Sequence, residues 1–91
     1  MHVVVVDDQG QKTEVGLNDE AKQAVRLSFN PSGNTAVLTL KVLAAAFLTY
    51  CDYLKDGTAG GRGPGARELA VAKTHMETAQ MWAVKGATAG V

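Results

Sequence analysis

The chain has 91 residues, of which 46% are hydrophobic and 20% charged, with nine basic and nine acidic side chains. This composition is that of one folded domain rather than a disordered segment, and it lacks the basic excess of proteins that bind nucleic acid polymers or anionic membranes. A chain of this length buries only about 60–65% of its unfolded surface, so we expect the monomer to be only marginally stable.

The first sixteen residues predict a β-hairpin. Met1 to Val6 is rich in β-branched residues, which favour a strand. The sequence Asp7-Asp8-Gln9-Gly10 is typical of a turn in which Gly10 takes a positive φ, and residues 11 to 16 alternate weakly, as a returning strand does. A two-stranded hairpin is barely stable alone, so it must pack on the rest of the chain.

A short helix and a turn are predicted over residues 17 to 34. Asn18 is a suitable N-cap for a helix over Asp19–Phe29, with a strand over residues 24 to 29 as the alternative. Pro31 ends either element because it biases the residue before it away from helical geometry. Residues 30 to 33, Asn-Pro-Ser-Gly, fit a type I turn.

Two long helices complete the fold. The first runs from Thr35 to residue 55 or 56, with Asn34 as its cap and Gly57 at its end, and its apolar residues surround most of the axis. A glycine-rich loop at residues 57–64 leads into a helix from Gly65 to residue 85 or 86, with Pro64 in its first turn. The predicted class is therefore α+β: an antiparallel hairpin of strands plus an antiparallel pair of long helices that oligomerises through the helices.

The last helix carries the first candidate ligand site. Arg67 and Thr74 are two turns apart, about 10 Å along one face, with small apolar residues between them. A guanidinium and a hydroxyl on such a floor suit a phosphodiester with its base or sugar, and Lys73 could reach in beside a second subunit. The alternative is a solvated Arg67, a Lys73–Glu77 pair and a threonine that the helix tolerates.

The turn before the first long helix is the second candidate site. Phe29 offers a stacking face for a base, and Arg26 a phosphate contact. Asn30, Ser32 and Asn34 supply donors and acceptors for the base edge. The alternative is that these residues only form the turn and bind no ligand. Turn geometry accounts for the proline, the glycine and one asparagine, and the phenylalanine would then pack under the turn as a hydrophobic anchor.

Catalysis, metal binding and membrane insertion find little support. Cys51 is a lone thiol in an apolar stretch and is expected to be buried, and neither His2 nor His75 has neighbouring metal ligands, although either could in principle be a base. The glycine loop lacks the Lys-Ser/Thr of a phosphate-binding P-loop, and Trp82 is expected in the core or a subunit interface. The apolar run from residue 36 to 48 is too short and too polar to span a bilayer, and no signal peptide is predicted.

Residues 67–77 and 79–85 resemble the helical hairpin shared by phage proteins that counter bacterial immunity, the cyclic-nucleotide sponges of the anti-Thoeris and anti-CBASS type. The residues that carry the resemblance are RELAVAKTHME and AQMWAVK. The N-terminal hairpin and the Phe29–Asn34 turn resemble the anti-Thoeris branch more than the smaller anti-CBASS branch.

This resemblance implies a protein in the cytoplasm of the infected bacterial host that sequesters immune signalling nucleotides without cleaving them, and that needs no cofactor. The implied ligands are cyclic ADP-ribose isomers or cyclic di- and trinucleotides, with Arg67 and Thr74 on phosphate and the Phe29–Asn34 region around a base. The implied assembly is a homodimer or a hexamer built as a trimer of dimers, with separate pockets for different ligands. Two alternatives are a nucleotide-degrading enzyme that uses a histidine base, and a structural or regulatory helical-hairpin module with no nucleotide ligand.

Overall fold

The computed structural model describes residues 1–31, 33–57 and 63–90. The chain has the predicted α+β architecture, a two-stranded antiparallel sheet followed by helices. The elements are β1 (His2–Val6), β2 (Lys12–Gly16), α1 (Asp19–Ala24), α2 (Thr35–Asp56) and α3 (Ala66–Ala87).

The β-hairpin forms as its sequence predicts. The register runs from His2 opposite Gly16 to Val6 opposite Lys12. In the turn, Oδ1 of Asp7 accepts hydrogen bonds from the amides of residues 9 and 11 at 2.9 and 2.8 Å. Gly10 has a φ of 78°, which confirms the positive value expected from its place in the turn. The sheet lies against α2 through one face, on which Val15 is buried in the core.

Helix α1 begins at the predicted cap but ends early. Oδ1 of Asn18 accepts a hydrogen bond from the amide of Ala21 at 2.7 Å, which confirms the N-cap. The helix ends at Ala24 rather than at Phe29, because Arg26 takes a left-handed φ of 52°. The strand alternative for residues 24 to 29 is also wrong.

A Schellman motif explains this early end. The amide of Arg26 donates to the carbonyl of Gln23, and the amide of Leu27 donates to the carbonyl of Lys22 at 2.9 Å. This pattern satisfies the last carbonyls of a helix and normally places glycine at the left-handed position. The helical spacing of apolar residues continues past the true end of α1 because Val25 and Leu27, in the turn, still face the core.

Helices α2 and α3 pack antiparallel. Asn34 caps α2 as predicted, its Oδ1 accepting from the amide of Ala36 at 2.8 Å, and Gly57 follows the last helical residue. Gly65 precedes α3 with a φ of 84°. Pro64 therefore lies before the helix and not in its first turn, because the left-handed glycine changes the chain direction between them. Most of the predicted glycine-rich loop, residues 58–62, lies outside the described residues.

The core lies where α1, β2 and α2 meet. Leu48 and Val25 are its largest fully buried side chains, each 1% exposed. The consecutive alanines at 44 to 46 let neighbouring backbones approach α2 closely. Cys51 is buried, as predicted, and burial raises the pKa of its thiol.

By length and hydropathy alone, α2 could cross a membrane. The continuous helix has 22 residues. It is longer than the apolar run from residue 36 to 48, which was the basis for predicting that the chain does not span a bilayer. One third of its most apolar window (33%) is buried inside the protein, and core helices of soluble proteins commonly have the same composition. We therefore treat α2 as the core helix of this fold, and its bounds match the helix predicted from Thr35 to residue 55 or 56.

Gln80 is an unfavourable polar group in the helix pair. Its side chain is 8% exposed in the α2–α3 groove, and its Oε1 accepts no hydrogen bond from any described residue. An unpaired buried carbonyl costs about 1–3 kcal/mol, so Gln80→Leu is expected to raise the free energy of unfolding by about 1 kcal/mol in urea titrations. A loss of stability instead would mean that this oxygen has a partner in the assembled protein.

Candidate functional site

An open groove lies where α1 turns toward the start of α2. Its volume is about 640 Å³, and it is formed by the end of α1, the following turn, the N-terminus and the first turns of α2. The lining residues are Met1, Lys22, Gln23, Arg26, Leu27, Ser28, Phe29 and Leu38. Two of them are cationic and one is aromatic, so the groove combines an apolar floor with positive charge.

Phe29 is the most prominent side chain of this groove. Its ring is 60% exposed although Phe is usually buried. The guanidinium carbon of Arg26 and Nζ of Lys41 each lie 5.6 Å from the ring centroid, at cation–π distance. An exposed aromatic face beside two positive charges suits a nucleobase with an attached phosphate.

The two asparagines of the turn are engaged in its structure. Nδ2 of Asn30 donates to the carbonyl of Asn34 at 3.0 Å, and Oδ1 of Asn34 caps α2. The amide of Gly33 donates to the carbonyl of Asn30 at 3.0 Å, and the φ of Gly33 is 64°. The turn explanation therefore accounts for these polar groups, and their contact with a base stays a prediction. Ser32 lies outside the described residues.

Lys41 is a buried residue beside the groove that the sequence prediction missed, as it missed the lining residues Lys22 and Leu38. It is only 6% exposed, and its Nζ donates to the carbonyl of Arg26 at 2.9 Å and to the carbonyl of Phe29. The available signal was a lysine within the mostly apolar run of residues 36 to 48. Its partners could not be inferred, because they are backbone groups of a turn that helical spacing does not predict.

The α3 candidates form a second, separate surface. Arg67 and Thr74 are both exposed, and Oγ1 of Thr74 donates to the carbonyl of Ala70 at 3.3 Å. Arg67 is in the first turn of α3, beside the end of α2, whereas Phe29 precedes the start of α2. A helix of 22 residues is about 33 Å long, so one chain does not bring the two surfaces together.

Lys73 belongs to a structural network rather than to an open site. Its Nζ lies 2.5 Å from Oδ1 of Asp52 and 3.8 Å from the carboxylate of Glu20. Asp52 also accepts from Nδ2 of Asn18 at 3.2 Å, so the network joins α1, α2 and α3. The suggested Lys73–Glu77 pair is wrong, because the ammonium is held across the helix pair. A ligand contact for Lys73 remains a prediction that these contacts do not favour.

The charges of this network stabilise each other. Burial alone would raise the pKa of Asp52, but the hydrogen bonds from Lys73 and Asn18 and the charge of Lys73 outweigh it, so the pKa lies below its usual value. The hydrogen bond to Asp52 raises the pKa of Lys73 above its usual value, against the effect of burial. Both groups are therefore charged across the physiological range.

Neither histidine lies in a site that resembles a catalytic centre. Nε2 of His2 is 3.3 Å from the carboxylate of Glu14, and both side chains are exposed on the hairpin. His75 is exposed on α3. Within residues 1–31, 33–57 and 63–90, no group of three potential metal ligands occurs.

A family model described as "Acb2/Tad1, hairpin domain" matches residues 19–88. The match spans all three helices and more than half of the chain. The chain belongs to this family. It is therefore a member of the anti-CBASS and anti-Thoeris sponge family, as the resemblance of its C-terminal helix predicted. No curated protein and no solved structure matched the chain.

Membership has two consequences for this Acb2/Tad1 hairpin protein. The family domain indicates a phage anti-defence role in nucleotide binding, and it is a binding domain rather than a catalytic one. The matched residues begin at α1 and leave out the β-hairpin, on which the assignment to the anti-Thoeris branch partly rested. That branch assignment stays a prediction.

Proposed function

We propose that this Acb2/Tad1 hairpin protein binds cyclic signalling nucleotides of host immunity in the cytoplasm of the infected cell and withholds them, uncleaved, from their effectors. The ligands would be cyclic ADP-ribose isomers or cyclic di- and trinucleotides. The observation that carries the proposal is the exposed Phe29 ring with two cations each 5.6 Å from its centroid, on a chain that belongs to a sponge family. Stacking holds a base, while Arg26 supplies charge for a phosphate.

Sequestration requires a closed, high-affinity site, whereas the grooves found in the described part of one chain are open. A Kd near 1 nM corresponds to about 12 kcal/mol, which an exposed arginine and one aromatic ring do not supply. Subunit interfaces provide deeper pockets, so we propose a homodimer or a trimer of dimers. Large apolar side chains remain exposed for such contacts, among them Leu43, Phe47, Leu54, Met81 and Trp82. Light scattering after size exclusion tests this, and a stable monomer would contradict it.

A thermal-shift panel tests nucleotide binding. The purified protein is heated with cyclic ADP-ribose, a cyclic dinucleotide and a cyclic trinucleotide, with AMP as a linear control. A ligand at 100 times its Kd stabilises the folded state by about 2.7 kcal/mol, which is a shift of several degrees. At least one cyclic ligand is expected to produce this shift. An unchanged melting temperature with every cyclic ligand would contradict the proposal.

The Arg67 surface gives a specific prediction within this panel. Arg67→Ala is expected to reduce or remove the shift for ligands that use the α3 surface, because it deletes the cation proposed to contact their phosphate. The unliganded melting temperature is expected to change little, since the side chain is exposed. Lys85→Ala, at an exposed position in the last turn of the same helix, is the matched control. An undiminished shift in Arg67→Ala would remove this surface from the site.

The second candidate function is a protein-interaction module. An apolar groove of about 400 Å³ lies between the hairpin and α2, where Val3 and Val5 face Leu43, Phe47 and Tyr50. Such a surface fits an apolar partner as well as a second copy of the chain. If the protein is such a module, no nucleotide would change its melting temperature. The same thermal-shift panel therefore distinguishes the two functions.

A further inference from the structure

We infer that Lys41 is a positioning residue for the groove: its buried ammonium fixes the turn after α1 so that the Phe29 ring and the Arg26 guanidinium face the groove together. The inference rests on the proposed function where it concerns nucleotide affinity. Its structural part, that Lys41 determines the placement of Phe29, stands on the contacts alone.

The contacts come from both ends of one turn. Nζ of Lys41 donates to the carbonyl of Arg26 at 2.9 Å and to that of Phe29, which are 15 and 12 residues away in sequence. The amide of Phe29 donates to the same Arg26 carbonyl at 2.9 Å. The ammonium therefore joins the two residues that carry the aromatic ring and the guanidinium, and it holds them against α2.

A packing role alone does not account for a lysine at this position. Burying an ammonium is costly unless hydrogen bonds compensate, whereas leucine or methionine would fill the same space in this apolar helix without that cost. The turn also holds Arg26 at a φ of 52°, where a residue other than glycine is strained. Lys41 thus stabilises an unfavourable backbone conformation at Arg26, and that conformation leaves the ring of Phe29 exposed.

Lys41 acts on a ligand only through its neighbours. It is 6% exposed and does not line the groove, and Nζ already donates to two carbonyls. A ligand that binds an ordered Phe29 and Arg26 does not have to immobilise them. Ordering a side chain on binding costs free energy, so loss of the ammonium is expected to weaken binding roughly tenfold.

The test compares Lys41→Met with wild type by fluorine NMR and by binding. The chain has two phenylalanines, so protein labelled with fluorophenylalanine gives one signal from Phe29 and one from Phe47, and Phe29→Leu assigns them. The affinity for the most stabilising of cyclic ADP-ribose, a cyclic dinucleotide and a cyclic trinucleotide is measured by calorimetry. Lys85→Met, at an exposed lysine, is the matched control.

In Lys41→Met, the Phe29 signal is expected to shift and the affinity to fall about tenfold, while the Phe47 signal and the melting temperature stay near wild type. Lys85→Met is expected to change none of these. An unmoved Phe29 signal or an unchanged affinity overturns the inference. A collapsed melting temperature with both signals altered also overturns it, because Lys41 would then support the whole fold. If wild type binds none of the probes, the proposed function fails, and the NMR comparison still decides whether Lys41 places Phe29.

Discussion

Replacing Asp52 by alanine is expected to lower the free energy of unfolding by about 2–3 kcal/mol. Asp52 is the shared acceptor for Lys73 and Asn18, so the change removes both contacts and leaves the Lys73 ammonium, whose side chain is four-fifths buried, without its main partner. Breaking a buried pair by removing one member typically costs about 3–5 kcal/mol, and residual access to water and to Glu20 at 3.8 Å reduces this. For a domain of this size the melting temperature is expected to fall roughly 10–20 °C.

Glu77→Ala is the matched control for this prediction. Glu77 is exposed on α3, four residues after Lys73, and is the partner that local helical spacing suggests for that lysine. Its removal is expected to change stability by less than about 0.5 kcal/mol. If Glu77→Ala destabilised the protein more than Asp52→Ala, the network that joins the three helices would be wrongly assigned.

The same network fixes the direction of the pH dependence. Because the pKa of Asp52 is lowered on folding, its contribution is fully present above the unfolded pKa, near 4, and is lost as the pH falls through the lower folded pKa. Because the pKa of Lys73 is raised, its contribution is fully present below about 10.4 and is lost as the pH rises through the higher folded pKa. Denaturation midpoints are therefore expected to fall at acidic pH in wild type and less steeply in Asp52→Ala.

Replacing Phe29 by leucine is expected to weaken the binding of a cyclic nucleotide by about 1–3 kcal/mol, which is roughly fivefold to 150-fold in Kd. Leucine keeps an apolar side chain in the groove but removes the ring face on which a base would stack. Because Phe29 is 60% exposed, the stability of the unliganded protein is expected to change little. Calorimetry on both proteins measures the difference directly.

Tyr53→Leu is the control for the loss of an exposed aromatic ring. Tyr53 is 68% exposed in the last turns of α2, whereas Phe29 lies before the start of the same helix. The control variant is expected to keep the wild-type affinity. Equal losses in both variants would point to a general effect on assembly, and an unchanged Kd in Phe29→Leu would exclude the ring as the base platform.

Local chemistry made the outlines of the fold predictable. Asn18 and Asn34 could be identified as caps because each precedes a helical pattern, and a cap depends only on the next two or three residues. Gly10 could be placed in a turn with positive φ for the same reason. The long helices followed from uninterrupted apolar spacing between glycine-containing segments.

The features that the sequence did not predict depend on contacts between residues far apart in the chain. Arg26 ends α1 in a left-handed conformation, and the lysine that holds its carbonyl is 15 residues further on. Lys73 has a carboxylate four residues later on its own helix, yet it pairs with Asp52, 21 residues earlier in sequence. Helical spacing lists neighbours within one element, so neither of these contacts across elements could be deduced from it.

The candidate site also combines features that the sequence predicted with features that it did not. Phe29 and Arg26 were identified from their residue types, and the structure places them together in one groove. Asn30 and Asn34 were assigned to a base edge because their side chains carry donors and acceptors, but these groups are used by the turn and the helix cap. Arg67 lies far from the groove because α2 and α3 are antiparallel. The sequence predicted the antiparallel pair but not this separation of the two candidate surfaces.

Recovery of intact ligand is the most direct test of the proposed sequestration. The purified protein is incubated with the cyclic nucleotide that stabilises it most, free ligand is removed by filtration, and the protein is then denatured by heat. Mass spectrometry of the released material is expected to find the cyclic nucleotide unchanged, in an amount equal to the bound fraction. A linear or hydrolysed product, or no released nucleotide at all, would contradict sequestration.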